Sequence, residues 1–169
     1  MAQLRQYGPI QSWESPGHGA RESSGGKTNE QSEDVSLTIG KSECIRILLV
    51  DDHAIVRQGL RALLADYDNV EVVGEAQNGQ DAIALTKVLD PSVIVMDINM
   101  PIMNGIEATE IIKSENPCVS IVGISANGDK HAKAMLTAGA TAFVNKGSAT
   151  ELLYAAICET VVQKLEGTK

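Results

Sequence analysis

Five polar side chains stand where apolar runs stop. Asp51 and Asp52 follow "CIRILLV", Asp97 follows "SVIVM", Ser125 follows "VSIVGI" and Lys146 follows "TAFVN". Three carboxylates brought together repel, and each raises its neighbours' pKa values. A hard divalent cation relieves that repulsion, and an all-oxygen ligand set with room for water favours Mg²⁺. Asp97 is then a candidate nucleophile of the acyl-phosphate type. A phosphoryl group brought to it develops charge on its oxygens. The cation and the Lys146 ammonium neutralise that charge, and the Ser125 hydroxyl donates a hydrogen bond to it. Neither GxxxxGK[ST] nor GxGxxG occurs, so the phosphoryl donor is not expected to be held as a nucleotide.

These residues are far apart in the chain, so the elements between them must bring them together. "CIRILLV", "VEVVGEA", "SVIVMD", "VSIVGIS" and "TAFVN" read as strands. Between and after them lie segments of helical spacing. The first, "AIVRQGLRALLAD", has an apolar stripe of Ile55, Leu60, Leu63 and Leu64. "GQDAIALTKVLD" stops before Pro91, "IEATEIIKSE" starts after Gly105 and ends before Pro117, and "DKHAKAMLTAG" ends at Gly139. "SATELLYAAICETVVQKL" is a long final helix. Five βα units with wholly apolar strands imply a parallel sheet covered by helices on both sides. Right-handed crossovers leave the doubly wound, flavodoxin-like order 2-1-3-4-5 as the expected α/β fold. In such sheets ligands sit beyond the carboxyl ends of the strands, at the switch point between strands 1 and 3. All five polar residues fall on that rim.

Composition narrows the function classes. The 169 residues are 43% hydrophobic but only 3% aromatic, so the core is aliphatic. The net charge of −8 argues against nucleic acid or an anionic membrane surface as a direct partner. No apolar run reaches the roughly 18–20 residues of a membrane span. Cys44, Cys118 and Cys158 show no ligand spacing and read as reduced thiols of a cytoplasmic protein. Residues 1–43 are rich in Gly, Ser, Gln and Glu and read as a flexible tail or linker, with Val35 to Ile39 as a short ordered patch. They hold 4 basic and 6 acidic residues, net −2, which leaves net −6 for the domain at 44–169.

"ILLVDDHAIVRQGLRALL", "IVMDINMPIMNGIEAT", "GISA" and "AFVNKG" resemble the receiver domain of two-component response regulators. The block with His53 and Arg57 is most similar to receivers that carry a LuxR-type helix-turn-helix output. The resemblance implies that Asp97 accepts a phosphoryl group from the phosphohistidine of a histidine kinase or a histidine phosphotransfer domain. Asp51 and Asp52 would hold Mg²⁺, Asp52 more directly, and the backbone carbonyl of Asn99 would complete the metal site with Asp97. Lys146 would pair with the phosphoryl oxygens. Ser125 would draw its loop inward, and Phe143 would change rotamer with it, altering the face of helix 4, strand 5 and helix 5. Such a chain is a self-phosphorylating and autodephosphorylating switch rather than a conventional enzyme. Homodimerisation on phosphorylation is compatible with it.

Plainer readings accompany each residue. Asp51 and Asp52 also suit a helix N-cap, Asp97 a strand-end loop, Lys146 the solvent and Phe143 the core. His53 and His131 read as surface or helix-start residues, and Met96, Met100 and Met103 as core and loop filler. An aspartyl-phosphate hydrolase is the first alternative function, but "DINMP" has Asn99 where a DxD block has its second acid. A flavodoxin-like binding module is the second, but an acidic pair after strand 1 repels a bare phosphate. Asn145 is less apolar than a strand end suggests. The chain is too short after Lys146 for a helix-turn-helix output, which suggests a truncated piece or a receiver acting alone. "SWESPGHGAR" is similar to the last glycine-rich box of kinase ATP domains, which would make the chain the end of a hybrid kinase.

Overall fold

The computed structural model describes residues 44–126 and 128–166, with the side chains of 128–130 and 164–166 left aside. The tail, with the patch expected at Val35 to Ile39, lies outside the described residues. Among the described residues five strands alternate with five helices. They are β1 (Ile45–Val50), α1 (Ala54–Leu64), β2 (Val70–Ala76), α2 (Gly79–Leu89), β3 (Val93–Asp97), α3 (Gly105–Glu115), β4 (Ser120–Ser125), α4 (Gly128–Thr137), β5 (Ala142–Asn145) and α5 (Ala149–Glu166). A short 3-10 turn, Lys146–Ser148, joins β5 to α5. The sheet is all parallel in the order β2-β1-β3-β4-β5, as expected.

Side chains alternate across a strand, so the apolar runs split into two cores. Leu48, Val50, Ile94, Met96 and Ile121 face α2, α3 and α4, where Ala82, Ala108, Ile112 and Met135 meet them. Ile47, Leu49, Val93, Val95, Val122 and Ile124 face α1 and α5, against Leu60, Leu64, Leu153 and Ile157. Full burial of each large aliphatic side chain contributes about 1.5–3 kcal/mol. Only β3 and β4 are buried at every residue. The edge strand β2 is half-exposed along most of its length, because helices cover a sheet's faces and leave its rim open. The stripe expected on α1 is corrected at one position. Leu60 and Leu64 are buried, whereas Ile55 is 74% exposed in the first turn, beyond the edge of the core.

Local chemistry sets the helix starts near the rim. Asn78 accepts a hydrogen bond from the Asp81 N–H at the start of α2. Asn104 accepts from Ile106 and Glu107 at the start of α3. Each replaces an N–H partner that the first helical turn lacks. Gly139 has φ +105 after α4, a conformation that glycine adopts without cost.

Candidate phosphoryl-acceptor site

The sheet register sets the spacing of the site. Val50 lies beside Met96, so β1 and β3 release Asp51 and Asp97 next to each other. Asp97 pairs with Ile124 and Ser125 with Asn145, so Ser125 and Lys146 leave β4 and β5 at neighbouring levels. Asp51, Asp97 and Ser125 are almost wholly buried, at 0%, 3% and 0% exposure. Asp97 therefore lies beneath the rim rather than surfacing on it.

The Lys146 ammonium ties the site together. Its Nζ lies 2.6 Å from Asp51 Oδ2 and 3.1 Å from Asp97 Oδ1. Asn145 explains how the lysine is held, since its side chain accepts from the Gly147 N–H at 2.9 Å and fixes the turn that carries Lys146. That is the use of the polar residue at the end of β5. Burial raises the Asp97 pKa, the ion pair with Lys146 works against it, and the Asp51 charge adds to the rise. For Lys146, burial alone pushes the pKa down, but the bonds to Asp51 and Asp97 outweigh it and the net shift is upward.

Asp51 is fixed through three of its polar atoms. Its N–H donates to the Ala76 carbonyl at 3.1 Å. Its Oδ1 accepts the His53 N–H at 2.9 Å, and its carbonyl accepts from Arg57 Nη1 at 2.6 Å. Oδ2 faces the Lys146 ammonium at 2.6 Å. Neither Asp51 Oδ2 nor Asp52 Oδ1 has a hydrogen bond of good angle, although each is buried. Lys146 Nζ stands 2.6 Å from the first as an ion pair, and His53 Nδ1 stands 2.6 Å from the second. The capping alternative fails, because the N-cap of α1 is His53 and no side chain makes a capping hydrogen bond there. The ligand atoms of Asp51, Asp52 and His53 lie within 4.8 Å of one another. Asp97 joins that group through the Lys146 ammonium. Two buried carboxylate oxygens without good hydrogen bonds, beside a third buried carboxylate, suit a hard cation.

The remaining residues fall around this centre. Asn99 is exposed in the loop after β3. The Ser125 hydroxyl lies 3.5 Å from His131 Nδ1 on α4, at the outer limit for a hydrogen bond. Phe143 is half-buried against the α2–α4 side of the core. Met96 and Met100 are buried and Met103 is partly so, as the filler role expects. Sequence reasoning missed the group that supports Asp51, which is Arg57 on α1 with Glu75 on β2. Arg57 Nε donates to Glu75 Oε2 at 2.9 Å, and Arg61 Nε donates to Glu75 Oε1 at 2.9 Å. A basic residue at i and i+4 of a helix after an acidic pair was the available signal.

A family model for the response regulator receiver domain matches residues 47–158. The chain belongs to the receiver-domain family of response regulators. The response regulator GacA of Pseudomonas protegens is 36% identical over 114 residues, which are 67% of this chain and 54% of that protein. A protein-glutamate methylesterase/protein-glutamine glutaminase of Methanococcoides burtonii is 41% identical over 106 residues, 62% of this chain and 30% of that protein. The chain thus spans about half the length of the first relative and under a third of the second. Among solved receivers, a LuxR-family two-component response regulator from Aurantimonas sp. SI85-9A1 superposes with a TM-score of 0.65 at 35% identity, over 69% of this chain and 84% of that one. The response regulator domain of Thermotoga maritima CheB gives 0.59 at 31% identity, over 72% and 94%. Receivers of the LuxR group are therefore among its relatives, as the first sequence block implied. Among the described residues no helix is long and apolar enough to cross a membrane.

Proposed function

We propose that this receiver takes a phosphoryl group onto Asp97 from the phosphohistidine of a histidine kinase or a histidine phosphotransfer domain. The observation that carries the reading is the Lys146 ammonium at 2.6 Å from Asp51 and 3.1 Å from Asp97. The ends of three separate strands thereby bring two buried carboxylates and one ammonium together. An Asp97 carboxylate oxygen attacks phosphorus, the P–N bond breaks, and the imidazole leaves with its electron pair and takes up a proton. Lys146 follows the charge onto the phosphoryl oxygens, and Ser125 donates a hydrogen bond to them. Asp51 Oδ2, Asp52, Asp97 and the Asn99 carbonyl would hold Mg²⁺. When bound, the cation neutralises charge on the transferring group. The exclusion of bulk water around Asp97 strengthens each of these contacts.

The output side of the proposal is the face of α4, β5 and α5. Ser125 leaving its place beside His131 would move the start of α4, and Phe143 would follow with a rotamer change. Leu136 on α4 and Leu152 on α5 are 48% and 42% exposed, which suits that face to pair with a second copy on phosphorylation. The test is an NMR titration with beryllofluoride and Mg²⁺, paired with sedimentation. The expected result is shifts at Ser125, His131 and Phe143 and a rise in mass. Shifts confined to the ends of β1 and β3 would contradict the switch.

The acidic pair still argues against a flavodoxin-like phosphate binder, and the loop after Asp97 has no second acid for a hydrolase of the DxD type.

A further inference from the structure

We infer that Arg57 is a positioning residue for the acidic pair, holding the Asp51 main chain by anchoring it to Glu75 on β2. This rests on the reading that Asp51 and Asp52 bind a divalent cation. A carboxylate presents a chosen oxygen to a cation only when its own backbone is held. At Asp51 the N–H is held by Ala76 and Oδ1 by the next turn. The carbonyl is held by a side chain alone, Arg57 Nη1 at 2.6 Å. Without that bond a buried carbonyl loses its partner and the β1–α1 turn loses one of its three ties.

The chemistry calls for arginine. One planar guanidinium sends Nη1 to the Asp51 carbonyl and Nε to Glu75 Oε2 at 2.9 Å. A lysine has a single ammonium on a flexible stem and lacks this rigid fork. The Arg57 side chain is 15% exposed and that of Glu75 30%, so their bond is partly shielded from water.

Glu75 supplies the second half of the device. A bare cation bonded to the Asp51 carbonyl would compete with a metal ion for the acidic pair. Glu75 neutralises Arg57 and aims it at the carbonyl, and Arg61 Nη2 at 2.8 Å from Oε1 stops the carboxylate from turning away. The bonds from Arg57 and then Arg61 hold the Glu75 carboxyl below its usual range, so it stays charged at neutral pH. Partners of this kind behind metal ligands orient the ligand and set its affinity.

The test uses the full chain with two readouts, Mg²⁺ affinity by calorimetry and amide exchange at His53 without metal. Arg57→Met, Arg57→Lys and Glu75→Gln are compared with wild type, and Lys87→Met is the control because the Lys87–Glu115 pair joins α2 to α3 away from the site. The Arg57 and Glu75 variants are expected to weaken Mg²⁺ binding about threefold or more, with Lys87→Met within about twofold of wild type. His53 exchange is expected to quicken about fivefold or more in the same three variants. Unchanged affinity or unchanged exchange in Arg57→Lys and Glu75→Gln overturns the inference, and these two variants decide it if Arg57→Met does not fold. If wild type itself binds no Mg²⁺, the metal reading falls, and His53 exchange alone decides whether Arg57 positions Asp51.

Discussion

Asp97 is held where its charge is least welcome. Burial raises its pKa in spite of the Lys146 ion pair, so Asp97 is harder to ionise in the folded chain than in the unfolded one. Ionised Asp97 therefore opposes folding. Its cost is absent below the unfolded value near pH 3.9, grows as the pH rises through the folded value, and is complete above it. Asp97→Asn is thus expected to raise thermal stability at pH 7 by about 1 kcal/mol and to lose that advantage in acid. Melting curves of both proteins from pH 4 to pH 8 check this, and a variant less stable at pH 7 would contradict it. Lys146 has the opposite sign. Its pKa is raised, so its contribution is present below its ordinary value of 10.5 and is lost as the pH climbs through the folded value. Lys146→Met leaves two buried acids without a counter-ion and should cost about 3 kcal/mol in metal-free buffer. Millimolar Mg²⁺ should raise the melting temperature of Lys146→Met more than that of wild type, because the ion replaces the lost charge. At this scale the acids, the lysine and the serine were legible, because each ends an apolar run. Asp51 held through its own carbonyl was not, since main-chain contacts leave no mark on residue type.

The loop between β3 and α3 shows how an element shapes the site. Gly105 has no room for a side chain, because a Cβ there would run into the Asp97 carbonyl oxygen. Gly105→Ala should cost about 3 kcal/mol or more and weaken Mg²⁺ binding, since backbone rather than a flexible side chain must yield. Chemical denaturation measures the first effect and a metal titration the second. Ile102, three residues earlier, adopts φ +69 and is 75% exposed. A β-branched residue in that conformation is strained and recovers little by burial. Ile102→Gly should therefore stabilise the fold by about 0.5–1 kcal/mol, and no gain in melting temperature would contradict the assignment of strain. The sequence showed that Pro101 and Gly105 punctuate this loop. It did not show that the strained residue is Ile102, because a positive φ arises from how the loop is clamped at both ends. Met103 N–H donates to the Pro101 carbonyl and Gly105 N–H to the Ile98 carbonyl. Ile55 escaped for a similar reason. Helical spacing gives a direction around α1, while the edge of the core decides which residues on that side are covered.

Across the whole molecule, the sheet order follows from five βα units and right-handed crossovers, and the order alone puts the ends of β1 and β3 together. That is why residues 46 positions apart, Asp51 and Asp97, were readable as neighbours without any local signal joining them. The long-range ties that complete the site, from β5 to β1 and from α1 to β2, depend on side-chain reach and became visible only in the folded chain. The acidic balance of the molecule also sits well with a cation-dependent site, because a net charge of −8 draws Mg²⁺ toward it. The most direct measurement of the central claim is intact mass after incubation with acetyl phosphate and Mg²⁺. Wild type should gain one phosphoryl group and Asp97→Asn none. No adduct on wild type, or equal adducts on both, would contradict the assignment of Asp97 as the acceptor.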